Sequence, residues 1–224
     1  MSGGGAPAEA PLTADGLLDL SAVVPVVVIS DVGTAVPLAR ALVAGGVRVI
    51  EITLRSEAAL SAIERVCAEV PEMVVGAGTV TTSGQVADAQ RAGARFLVTP
   101  GSSSGLVGAA LDSGLPLLAG ASTVTEMLQL VEQSAAAGSP LRAMKFFPAE
   151  ASGGIRYLAA VAGPLPQLRF CPTGGITPDN APSYLALPNV GCVGGSWLTP
   201  ADAVGAGDWQ RITRLAAEAT ALRR

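Results

Sequence analysis

The 224-residue chain contains no histidine and one lysine, Lys145; its other 13 basic residues are arginine. Without histidine, Ser-His-Asp and Cys-His nucleophile–base pairs of the usual kind are excluded, and so is histidine-ligated zinc. Proton transfer must fall to Glu, Asp, Lys, Tyr, Cys or water. Cysteine is scarce too. Cys67, Cys171 and Cys192 are far apart with no CxxC spacing, which excludes a disulfide framework and a zinc-type cysteine site. Such usage fits a reducing cytoplasm. No acidic cluster suggests a bound magnesium, so neither metal nor cofactor is expected. Charged residues make up 14% of the chain and the net charge is -4, with no basic patch. Nucleic acid is therefore not expected as a partner. No uninterrupted apolar run reaches the roughly 18 residues of a helical membrane span, so no membrane association is expected. Residues 1–16 are rich in Gly, Ala and Pro and lack the basic and apolar regions of a signal peptide. They read as a mobile tail ahead of a single domain, 17–224.

What is abundant is apolar sequence, 50% of the chain, arranged as short β-branched runs between longer Ala/Leu-rich segments. The runs fall at 23–29, 47–54, 73–79, 95–100, 115–121, 143–149, 169–175 and 189–196. Helices are predicted between them, over Ala35–Ala44, Glu57–Val70, Ser83–Ala92 and Val124–Ala137 among others, several followed by a helix-stop glycine. Thr123 to Glu126 has the spacing of a capping box. Alternating strands and helices imply a parallel sheet with helical crossovers. The count of eight, at roughly 25 residues per unit, and the absence of GxGxxG after the first strand favour a small (β/α)₈ TIM barrel over an open doubly wound sheet.

In such a barrel the C-terminal ends of the strands carry the chemistry. They hold Glu51 and Arg55, Thr79, Thr99 and Pro100, Lys145, Thr173 with Gly174 and Gly175, and Gly194, Gly195 and Ser196. Lys145 lies in the apolar strand AMKFFPA. A surface cation could be either basic residue, but an amine nucleophile cannot be arginine. Desolvation beside Phe146 and Phe147 would favour the neutral amine that attacks a carbonyl. A snorkelling lysine or half of a buried ion pair fits position and uniqueness equally well. Glu51, flanked by apolar residues in VIEIT, must be paired or functional, as a general acid/base or as a salt-bridge partner of Lys145 or an arginine. Arg55 could grip a carboxylate with its planar fork, or could be a solvated loop residue. TGGI (173–176) and VGGS (193–196) end adjacent strands where barrels often bind phosphate through loop N–H groups and a short helix N-terminus; they could equally be tight turns that bind nothing. Cys171 and Cys192 read as apolar fillers, and Trp197 and Trp209 as packing residues.

The segments PVVVI, ALVAGGVRVIEITLRS, VGAGTV, VTPG, MKFFPAE, RFCPTGGI and GGSWL closely resemble the 2-keto-3-deoxy-6-phosphogluconate (KDPG) aldolases, class I lyases that also act as 4-hydroxy-2-oxoglutarate aldolases. The match runs from about Val23 to Ala219. The resemblance implies that Lys145 is the Schiff-base lysine and Glu51 the acid/base. It implies that Arg55 and Thr79 contact the pyruvate moiety, with Pro100 and Phe147 also against the substrate. Thr173 matches a position governing the stereochemistry accepted at the aldehyde carbon, where a galactonate-type relative carries valine. Gly174, Gly175, Gly195 and Ser196 match the phosphate loops. The implied partners are a 2-oxo acid and a phosphorylated sugar acid, and the implied assembly is a homotrimer. Two other functions fit the residues alone: a barrel lyase or isomerase using Lys145 as a general base, and a non-catalytic sugar-phosphate sensor.

Overall fold

β-Branched residues pack well on a pleated surface, and the eight apolar runs each supply one strand. The computed structural model describes residues 12–222. In it the strands are β1 (Val23–Val27), β2 (Val49–Thr53), β3 (Val74–Gly78), β4 (Phe96–Val98), β5 (Leu117–Ala121), β6 (Ala143–Phe146), β7 (Arg169–Pro172) and β8 (Val193–Gly195). All pairings are parallel, in the order β7-β6-β5-β4-β3-β2-β1-β8. The ring closes between β7 and β8 through isolated bridges, Phe170 to Val190 and Thr173 to Gly194. The fold is the expected (β/α)₈ barrel, with its loosest seam between the two strands that end in glycine pairs.

Helices α1 (Ala14–Leu20), α2 (Ala35–Ala44), α3 (Ala59–Glu69), α4 (Ser83–Arg91), α5 (Ser104–Asp112), α6 (Val124–Ala136), α7 (Gly154–Val161), α8 (Ala181–Leu185), α9 (Ala201–Ala206) and α10 (Trp209–Thr220) complete the chain. The capping box at Thr123 and Glu126 is present. Its carboxylate accepts N–H bonds from Ser122 and Thr123 at 2.8 and 2.9 Å. These bonds, led by the one from Ser122, hold the Glu126 carboxyl below the ordinary glutamate range. The AGG, AGA and AAG stops end their helices through Gly46, Gly93 and Gly138, all at positive φ. No described helix is long and apolar enough to cross a membrane.

The expected tail, 1–16, needs a correction at its end. Residues 1–11 lie outside the described range, but Thr13 caps α1 by accepting the Gly16 N–H, so Ala14–Gly16 are helical. Leu17 and Leu18 of the same helix are buried, packed against β6 and β7. Arg169, the first residue of β7, holds Asp19 of α1 at 2.7 Å. Composition hid this helix because a single turn of apolar burial, rather than residue propensity, orders it.

Candidate active site

Strand alternation places residues i, i+2 and i+4 on one face. On β2 and its exit this face holds Glu51, Thr53 and Arg55. Glu51 and Lys145, 94 positions apart, meet inside the barrel, with Lys145 Nζ donating to Glu51 Oε1 at 3.2 Å. Glu51 and Lys145 are almost wholly buried, at 3% and 5% exposure. Burying two charges costs several kcal/mol per ion before their attraction is counted, so this pair is poor value as a stabiliser and suits chemistry better. Space for it comes from β3: a Cβ on Gly78 would lie 2.2 Å from Glu51 Oε1. Lys145 is flanked in the sheet by Gly120 and Cys171, and its ammonium lies 5.4 Å from the Phe147 ring centroid.

Thr53 is fully buried. Its hydroxyl donates to the Val27 carbonyl at 3.0 Å and accepts from Arg55 Nε at 3.2 Å. The far side of the Arg55 fork has no partner among the described residues. Thr79 follows Gly78 at φ +55°, left-handed backbone for a β-branched residue, which costs about 1–3 kcal/mol. This strained residue sits at the exit of β3, directly after the Gly78 that faces Glu51. Pro100 follows β4 at the same mouth. A Cβ on Gly120 would strike its carbonyl group at 2.4–2.5 Å, so β5 presses directly on it.

The remaining expected residues share one cavity. Arg55, Thr173, Gly174, Gly175, Gly195 and Ser196 line a volume of about 160 Å³ with Val26, Ile176 and Gly194. Arg55 is the only charged side chain on its wall. Gly174 and Gly175 both adopt positive φ, +99° and +80°. The carbonyls of Thr173 and Gly174 accept N–H bonds from Ala149 and Glu150 at 2.8 and 3.1 Å. The Gly175 carbonyl accepts from Asn180 Nδ2 at 3.0 Å. With the carbonyls so engaged, the N–H groups of Gly174, Gly175 and Ile176 meet no acceptor among the described residues. That arrangement suits an anion. After β7 the turn runs on without a helix until α8 begins at Ala181. Thr173 is buried, its hydroxyl donating to the Cys171 carbonyl at 3.4 Å. Gly194 leaves room for it, since a Cβ there would lie 2.2 Å from Thr173 Oγ1. Trp197 packs its ring over Gly195, and Cys171 and Cys192 are buried. Next to Ser196 a second cavity of about 460 Å³ opens, whose wall includes Val27, Asp31, Thr199, Pro200 and Val204.

A buried amine beside a carboxylate can attack a carbonyl and pass protons. A nearby arginine and a ring of N–H donors can hold carboxylate and phosphate groups. Thr79, Pro100 and Phe147 stand at the same mouth outside the 160 Å³ cavity. Thr53 and Gly78 join the site beyond the residues expected from the sequence. The period-two spacing of Glu51, Thr53 and Arg55 was the available signal for the first, and the VGAGTV segment for the second.

Residues 15–215 match the family model described as KDPG and KHG aldolase. The chain is 52% identical over 207 residues to the KHG/KDPG aldolase of Escherichia coli strain K12, covering 92% of this chain and 94% of that one. A solved structure of the Legionella pneumophila KDPG aldolase, with pyruvate captured as a covalent carbinolamine intermediate, superposes with a TM-score of 0.88 at 43% identity, over 93% of this chain and 98% of that one. The Zymomonas mobilis ZM4 2-keto-3-deoxy-6-phosphogluconate aldolase with 3-phosphoglycerate superposes with a TM-score of 0.85 at 45% identity, over 94% and 96%.

Proposed function

This chain belongs to the KDPG and KHG aldolase family of lyases, and from that premise we propose a class I aldolase that cleaves 2-dehydro-3-deoxy-6-phosphogluconate to pyruvate and glyceraldehyde 3-phosphate. The observation that carries this reading is the buried contact of the chain's one lysine with Glu51, at 3.2 Å. A carbinolamine with pyruvate, as in the Legionella relative, needs a protein amine, and Lys145 is the buried amine at this barrel mouth.

In this cycle Lys145 yields a proton to Glu51 and attacks the C2 keto carbon as a neutral amine. Glu51 returns that proton to the carbinolamine hydroxyl, which leaves as water, and the resulting protonated imine draws electrons from the C3–C4 bond. Glu51 takes the C4 hydroxyl proton as that bond breaks, directly or through a water. Glyceraldehyde 3-phosphate departs and the bonding pair stays on the pyruvate fragment as an enamine. Protonation at C3 and hydrolysis release pyruvate and restore Lys145. The iminium is the electron sink, so no metal enters the scheme. Arg55 and Thr79, with Pro100 and Phe147, receive the pyruvate end. Gly174, Gly175, Gly195 and Ser196 receive the phosphate, whose distant binding positions the reacting carbon. Thr173 reads the configuration at the aldehyde carbon.

The same bond cleavage in 4-hydroxy-2-oxoglutarate yields pyruvate and glyoxylate, and the name of the E. coli relative supports including that activity. Borohydride reduction in the presence of pyruvate tests the mechanism. The added mass is expected on Lys145, and an unmodified Lys145 overturns the imine. Steady-state comparison of the two substrates then ranks them.

A further inference from the structure

Below the glycine turn lies a hydrogen bond that the reaction scheme does not use. Tyr184 of α8 is wholly buried, and its hydroxyl donates to Glu150 Oε1. Burial and the neighbouring Glu150 carboxylate push the Tyr184 phenol well above its ordinary range, so it remains a donor throughout. Glu150 lies five residues past Lys145 in the loop leaving β6. Its backbone N–H donates to the Gly174 carbonyl at 3.1 Å. Its side chain fills the place of the missing Gly175 Cβ, which would lie 2.6 Å from Glu150 Cγ. On the other side a Cβ on Gly154, the first residue of α7, would lie 2.9 Å from the Tyr184 hydroxyl.

A carboxylate this close to an anion-binding turn is unfavourable by charge alone. Its position is explained if it holds the turn's shape. Glu150 meets the turn through backbone and side chain, and the Tyr184 hydroxyl fixes the rotamer that makes the side-chain contact. We propose that Tyr184 and Glu150 are positioning residues for phosphate binding, keeping the N–H groups of Gly174, Gly175 and Ile176 aimed into the cavity while leaving the Lys145–Glu51 chemistry untouched. This rests on the phosphogluconate reading above.

Two measurements separate the pair's role from a general structural one. Cleavage of the phosphorylated sugar acid depends on the turn. Solvent-deuterium exchange into the methyl group of pyruvate needs only imine and enamine formation. In Tyr184→Phe and Glu150→Ala, kcat/KM for the phosphorylated sugar acid is expected to fall about tenfold, the loss of one charge-assisted hydrogen bond, mostly through KM. Exchange stays at the parent rate, Glu150→Gln recovers part of the loss, and the double variant Tyr184→Phe/Glu150→Ala is no worse than either single one. Equal losses in both assays, no loss in either, or additive losses in the double variant overturn the proposal. A parent protein that exchanges pyruvate protons but leaves the sugar acid intact instead removes the substrate reading, and the selectivity claimed here goes with it.

Discussion

The Lys145–Glu51 pair and the Gly174–Gly175 turn share one barrel mouth and are built by opposite means. The pair consists of side chains on β2 and β6, almost fully removed from water. The turn consists of backbone, its outer glycine exposed, shaped by neighbours that engage its carbonyls. Reactive groups gain from a dry, rigid setting in which charge interacts strongly. A phosphate must enter and leave, and backbone donors can bind it with a single cation, Arg55, on the cavity wall. Damage to the first region should therefore abolish chemistry, and damage to the second should weaken the use of phosphorylated substrate alone.

The largest effect is expected at the pair. Lys145→Met should lower kcat by about 10⁴-fold or more, and Glu51→Gln by about 10²–10⁴-fold, with the glutamine variant still trapped by borohydride and pyruvate. Removing one partner of a buried pair destabilises by about 3–5 kcal/mol, so Lys145→Met alone should melt early in calorimetry. Adding Glu51→Gln should restore much of the melting temperature but no turnover. A double variant as unstable as Lys145→Met would show that the pair is not an isolated electrostatic unit.

Next comes the turn. Gly175→Ala places a Cβ 2.6 Å from Glu150 Cγ in a left-handed conformation, which costs about 1–2 kcal/mol in backbone strain alone. We expect KM for the phosphorylated sugar acid to rise by roughly tenfold or more, with pyruvate proton exchange retained; loss of exchange would merge the two regions into one. Thr173→Val keeps shape but removes the buried hydroxyl bonded to the Cys171 carbonyl. The ratio of kcat/KM for the two sugar-acid epimers should move by roughly tenfold, and an unchanged ratio would clear Thr173 of any part in stereochemical choice.

The smallest effect is expected at the α6 cap. The Glu126 carboxyl is depressed in the folded chain by the capping bonds from Ser122 and Thr123. A depressed carboxyl stabilises above its unfolded value, near 4.5, and that contribution fades as pH falls through the folded value. Glu126→Gln should therefore cost up to about 1 kcal/mol at neutral pH, and the gap should close in acid. A gap that persists there would assign the cap's worth to shape rather than charge.

Local sequence signals found much of this. The eight strands lie inside eight apolar runs because β-branched alternation is a local property. The Thr123 cap and the stops at Gly46, Gly93 and Gly138 were legible for the same reason. Lys145 and Glu51 stood out as charges in apolar strands, and the glycine pairs as breaks at strand ends. Thr53 was hidden because threonine in a strand is ordinary until its hydroxyl is seen between the Val27 carbonyl and Arg55. Tyr184 was hidden because its partner lies 34 positions away.

By itself the sequence determined the order of strands and helices, the nature of the reactive groups and the absence of a histidine to assist them. Those follow from side-chain chemistry and short-range periodicity. The tertiary structure decided that Glu51 meets Lys145 rather than an arginine, that Arg55 faces the glycine turn, and that α1 rather than a tail packs against β6 and β7. Each depends on barrel closure, which brings distant strands within hydrogen-bonding reach, and on glycines such as Gly78 whose missing side chains leave room for the groups that act.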